Sequence, residues 1–256
     1  MPYSTQQLAD MFEAYDTWTG RLDKLNTAIH LCQYISVRGR EFAIHGLSRR
    51  LSTLRHCLDR TFELVPPSVE TPSRLDLADA SAFIQTFFIN MYGSIDNLAH
   101  IWCQEAVVVD RQGRPLRDNN IGLMPKYNIV RESLSAKCQD YLTNSGDWFR
   151  YLEGYRHALA HRIPLYIPPR QLDSADQIRY REIEEEKLAA LRAHQWSRFD
   201  ELRQELELLG VFEPCIMHSY GEGAPLIRFH PQLVCDLATL VEIGEHIYFE
   251  LDSLRD

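Results

Sequence analysis

"FIQTFFINMYGSIDNLAHIWCQEAV", residues 83–107, is the richest apolar stretch of this chain. Asn90, Asp96, Asn97, His100 and Glu105 interrupt it, which argues against a membrane span. The stretch reads as a buried helix, predicted over 76–108, at the centre of a bundle. Buried polar groups want partners. Asp96 and Asn97 are therefore expected where this helix meets other polar side chains.

Helical patterning continues on both sides. Ser4 followed by Gln7 reads as a capping box, and Leu8, Met11, Phe12, Tyr15 and Trp18 follow at helical spacing. That helix is expected to reach about Val37, with Gly20 as its weak point. A second covers 40–64 and is stopped by Pro66 and Pro67. Residues 65–74 form a linker, and 109–125 a polar loop with two glycines and two prolines. Helices follow at 127–143 and 147–162. A long charged helix, capped by Ser174, is expected over 174–209. VFEPCIMHSY and PLIRFH, separated by GEGA, suggest a hairpin, and a last helix covers 231–254. The fold class is mainly α, a multi-helix bundle with a small two-stranded β-hairpin near the C-terminus. The segments 1–64, 75–165 and 174–256 are expected to form one compact domain.

Composition narrows the function. With 45% hydrophobic and 25% charged residues the chain is globular rather than disordered. A net charge of −9 argues against broad binding to nucleic acid or an anionic membrane, though not against a local basic cleft. The arginine-rich run from Arg38 to Arg60 reads as a solvated helix face or as such a cleft. The six cysteines include no CxxC pair, which removes zinc ribbons and thioredoxin-type sites. The N-terminus lacks the pattern of a signal peptide, so a reduced, cytoplasmic protein is expected. There is no GxGxxG, Walker-type loop, GxSxG or HExxH, and Asp118-Asn119-Asn120 lacks the glycine and glutamate of a calcium loop.

What remains is "YRHALAHRIPLYIPP", residues 155–169, in which ionisable groups crowd the last turn of a helix before Pro164, Pro168 and Pro169. His157 and His161 are four apart, about 40° round a helix, close enough for a metal if a third ligand existed. Arg156 and His161 are five apart, about 140° round an ideal helix. The long arginine side chain or fraying before Pro164 could still bring both to one cleft. Arg156, His157, His161 and Arg162 could equally be cations complementing a helix C-terminus.

Arginine, a polar residue, three others and histidine resembles the signature of the HEPN superfamily (higher eukaryotes and prokaryotes nucleotide-binding domains). Here it reads Arg156-His157-Ala158-Leu159-Ala160-His161. NMYGSIDNLAHIWCQE, residues 90–105, is similar to the long helix of bacterial relatives, and the resemblance spans 76–165. Related spacings occur at Arg40–His45, Arg50–His56 and Arg150–His157, but only 156–161 combines an apolar helix with an abrupt proline stop.

The resemblance implies an all-α bundle and a metal-independent endoribonuclease, often a toxin or antiphage effector, with no cofactor. RNA would lie in a local cleft. His161 would be the acid/base, Arg156 the phosphate clamp and His157 an assistant, with Asp96, Asn97 and Arg162 supporting. It also implies a homodimer that juxtaposes two motifs. The alternative is a non-catalytic module that binds nucleotide, RNA or a protein, with 174–209 as its docking arm.

Overall fold

The computed structural model describes residues 2–219 and 225–255. Helix α1 (Thr5–Leu31) begins at the expected capping box and buries Met11, Leu22, Leu25 and Ile29. It stops six residues before Val37 because a carboxylate holds the chain in a turn there. Glu105, only 7% exposed, accepts hydrogen bonds from the backbone N–H groups of Ile35 (2.8 Å) and Ser36 (3.0 Å).

The expected second helix is one rod in three parts: α2 (Val37–Glu41), a π-helical turn (Phe42–Leu47) and α3 (Ser48–Leu64). In the π-turn the Ser48 N–H reaches back five residues to the Ala43 carbonyl. This wide turn lies against α4 (Arg74–Glu105), the central helix, whose Ile84, Phe87, Phe88, Met91, Ile95 and Leu98 are fully enclosed.

The expected helix 127–143 is two short ones, α5 (Asn128–Glu132) and α6 (Ala136–Asn144). Ser135 caps α6, while Glu250 takes up the Ser135 N–H at 3.0 Å, so tertiary bonding favours the break. Helix α7 (Gly146–His161) matches its expected position. It buries Phe149, Leu152 and Tyr155 and packs on α4, the Tyr155 ring stacking on Phe88 with centroids 4.5 Å apart.

The expected single helix 174–209 is a helical hairpin instead. Helix α8 (Ser174–Arg192) is capped by Asp173 rather than Ser174, and α9 (Trp196–Leu208) folds back on it. His194 makes the turn in the left-handed region, φ 56°, and Ile183, Ala190 and Leu202 form a small core belonging to this arm alone.

Strands β1 (Cys215–Ile216) and β2 (Ile227–Arg228) pair antiparallel, with Cys215 opposite Arg228. The expected GEGA turn lies outside the described residues. Bridges Tyr166–Met217 and Gln171–Val211 tie the proline-rich segment alongside. Helix α10 (Phe229–Ser253) packs on α1, α4 and α6, so one apolar core runs from Tyr3 to Leu251. Cys57, Cys103, Cys138 and Cys215 are buried and unpaired, and burial pushes the Cys103 thiol up to about 12, as suits inert small hydrophobes. Among the described residues no helix is long and apolar enough to cross a membrane.

Candidate active site

Helix periodicity assembles one wall. Tyr92, Asp96 and His100 on α4 are four residues apart and share a face. Glu153, Arg156 and His157 face them from α7, and Asp118, Ile121, Lys126 and Tyr127 close the cleft, whose volume is about 270 Å³. The closing loop is anchored rather than loose. Asp110 accepts from the backbone of Gln112 and Arg114, a 3-10 turn covers Asp118–Asn120, and Ile121, Leu123 and Met124 are buried.

Gly122 allows this closure. A Cβ there would fall inside the van der Waals envelope of the Tyr127 ring. Gly122→Ala is therefore expected to cost about 1–3 kcal/mol through overpacking, measurable as a lower urea midpoint with an unchanged m-value.

Burial is the largest influence on Asp96. It lifts the carboxyl to about 6, although Arg156, Arg50 and Lys126 pull the other way. The Arg156 guanidinium lies 5.3 Å from the centroid of the Tyr92 ring. Glu153 is a shared partner: its Oε1 is 3.3 Å from Lys126 Nζ and 3.9 Å from His157 Nε2. His100 stacks on Phe42 at 4.4 Å, and its Nδ1 is buried without a hydrogen-bond partner among the described residues. Burial lowers its pKa and favours the neutral ring, while Asp118 opposes that effect.

The structure brings Asp96, Arg156 and His157 together and leaves three expected site residues outside. His161 is exposed on the final turn and is absent from the lining, its ring centroid 6.4 Å from that of His157. Helix α7 stays regular to its end, so fraying does not close the 140° between Arg156 and His161. Arg162 is the exposed C-cap residue.

Asn97, one position on from Asp96, is turned about 100° away toward α3. There its Oδ1 accepts from Arg50 Nε at 3.1 Å, Asn90 accepts from the same guanidinium at 3.1 Å, and Gly93 gives that group room. Arg50 is thus committed to a structural contact. Arg150 is paired with Asp147 on the surface.

Sequence reasoning missed Tyr92, His100, Lys126, Tyr127, Asp118 and Glu153. Two signals were present: the four-residue spacing along α4 and the Glu153–His157 pair at i, i+4. The loop residues carried none. Among the described residues no group of three or more His, Cys, Asp or Glu side chains is placed to hold a metal ion. No protein-family model, curated protein or solved structure matches the chain.

Proposed function

We propose that the cleft between α4 and α7 is the active site of a metal-independent endoribonuclease. One observation carries this reading: Asp96, Arg156 and His157, from two helices distant in sequence, meet in a single polar cleft. RNA transesterification requires a base for the 2′-hydroxyl, an acid for the departing 5′-oxygen and positive charge beside the phosphorane. Asp96 suits the base, since its carboxyl titrates near 6, close to working pH. His157 takes the acid role. Arg156 supplies a fixed, forked cation, and Lys126 a second.

In this step the 2′-oxygen attacks phosphorus as its proton passes to Asp96. The bond to the 5′-oxygen breaks as that oxygen accepts a proton from His157, leaving a cyclic 2′,3′-phosphate and a 5′-hydroxyl. A homodimer joined at the ends of α7 would carry the exposed His161 of one copy toward the cleft of the other.

The pH–rate profile of a fluorescently quenched RNA oligomer tests the assignment. Activity should rise as pH passes upward through about 6, where Asp96 ionises, and Asp96→Asn should abolish that acidic limb. A limb that persists unchanged in the variant removes Asp96 from catalysis.

The second reading is a non-catalytic RNA- or nucleotide-binding module. It is favoured by Arg156 and His157 already having the protein partners Tyr92 and Glu153. RNA bound but never cut, equally by wild type and His157→Ala, selects it.

A further inference from the structure

A second, larger cleft of about 810 Å³ opens between the α8–α9 arm and the body. Its size is within the range of small-molecule sites, about 300–1,000 Å³. Four basic side chains line it: Arg74 and Arg170 from the body, Lys187 and Arg203 from the arm. Two lining carboxylates, Glu70 and Glu207, stand against them, while Glu184 and Asp200, outside the lining, pair with Lys187 at 2.5 Å and Arg203 at 3.7 Å. The α4–α7 cleft has the opposite balance, with Lys126 and Arg156 facing Asp96, Asp118 and Glu153. In a chain of net charge −9, the arm cleft is the more favourable place for a multiply charged anion.

The rings add a second requirement on the ligand. Tyr180 and Phe199 of the arm and Tyr166 of the body contribute aromatic surface to the same lining. Cations interleaved with aromatic rings suit a group that is flat at one end and anionic at the other. The cleft is also framed by specific bonds. Arg74 pairs with Glu207 at 2.8 Å, joining body to arm, and Arg170 donates to the Gly210 carbonyl at 2.9 Å. Arg203 is less committed. Its ion-pair partner is Asp200 at 3.7 Å, and its side chain is 54% exposed.

We infer that the cleft between the α8–α9 arm and the body binds a free nucleoside phosphate, its base against the rings of Tyr180 and Phe199 and its phosphates on Arg203, Lys187 and Arg74. The inference is independent of the activity proposed for the α4–α7 cleft.

Titration of the full chain with ADP carrying a fluorescent N-methylanthraniloyl group tests it. Saturable binding is expected, displaced by unlabelled ADP and about tenfold less well by adenosine, which lacks the charge. Arg203→Glu should weaken binding by about tenfold or more, and Tyr180→Ala by a comparable factor. Both side chains are solvent-accessible, Tyr180 at 38%, so neither variant threatens the fold. His157→Ala should leave ADP binding unchanged, which separates this cleft from the other. Three results would each overturn the inference: no saturable binding, affinity that survives both Arg203→Glu and Tyr180→Ala, or binding of a short oligoribonucleotide at this cleft with none of ADP.

Discussion

His157→Ala should lower the rate of RNA cleavage by about 10²–10⁴-fold, the usual worth of a positioned general acid, while thermal stability stays close to wild type. The separation is possible because the His157 side chain is 45% exposed and its ion-pair partner, Glu153, lies 3.9 Å away. A pair of that kind contributes about 1 kcal/mol at most. Arg156→Ala should also reduce cleavage, and the double variant should lose less than the product of the two single effects, since both groups act on one transition state.

His161→Ala discriminates between two arrangements. In a monomer its exposed ring is outside the cleft, and the substitution should be silent. In a homodimer, detected as a light-scattering mass of twice 29.8 kDa, it should impair cleavage as well. Full activity in His157→Ala with none in His161→Ala would reject the present assignment of the acid.

Asp236→Asn should raise stability at pH 8 and leave it nearly unchanged at pH 4. Asp236 is completely buried in α10, and burial lifts its carboxyl to about 7, against the pull of its hydrogen bonds. Trp148 Nε1 and Gln232 Nε2 both donate to Oδ1, at 2.9 and 2.8 Å, while Oδ2 accepts from the Tyr151 hydroxyl at 3.2 Å. A proton on Oδ2 can be given to that hydroxyl oxygen, and the Asn amide can do the same. Between about pH 4 and 7 the folded protein keeps a proton that the unfolded chain has released, so this residue makes stability fall as pH rises.

Above that window the penalty for Asp236 is on the order of 4 kcal/mol, from about 1.4 kcal/mol per pH unit. The asparagine variant avoids it. Asp96 acts in the same direction up to about pH 6. His230 acts oppositely: burial lowers it to about 4, so stability rises with pH between about 4 and 6.5. Urea midpoints of wild type and variant, compared at each pH, cancel the other two groups. A variant less stable at every pH would show that the three donors favour the anion.

The helices whose faces are decided by apolar periodicity, α4 and α7 above all, were legible from residues alone. The breaks were not. Leu31 ends α1 because Glu105 takes the N–H groups of Ile35 and Ser36, 70 and 69 positions before it, and the gap before α6 involves Glu250 in the same manner. Such bonds are made only once the bundle has closed. The 193–195 turn depends on a left-handed histidine; histidine is enriched there among non-glycine residues, but the conformation stays uncommon for it, so the residue alone does not mark the turn. At the candidate site, Arg156, His157 and Asp96 stood out as polar groups on apolar helices. Asn97 and His161 stood out equally, and helical rotation placed them elsewhere. Lys126, Tyr127 and Asp118 come from a loop whose path periodicity does not describe.

Chain length is negotiable at one place in this bundle. The π-helical turn at Phe42–Leu47 holds one residue more than an α-helical turn would. Removing one residue there would return the rod to continuous α-helix, with Gly39 still against Glu105 and Arg50 still over Gly93. The same deletion in α4 between Tyr92 and His100 would rotate everything beyond it by about 100°, and the stripe of Tyr92, Asp96 and His100 would lose its common direction. The rod carries a spare residue; the central helix has none to give.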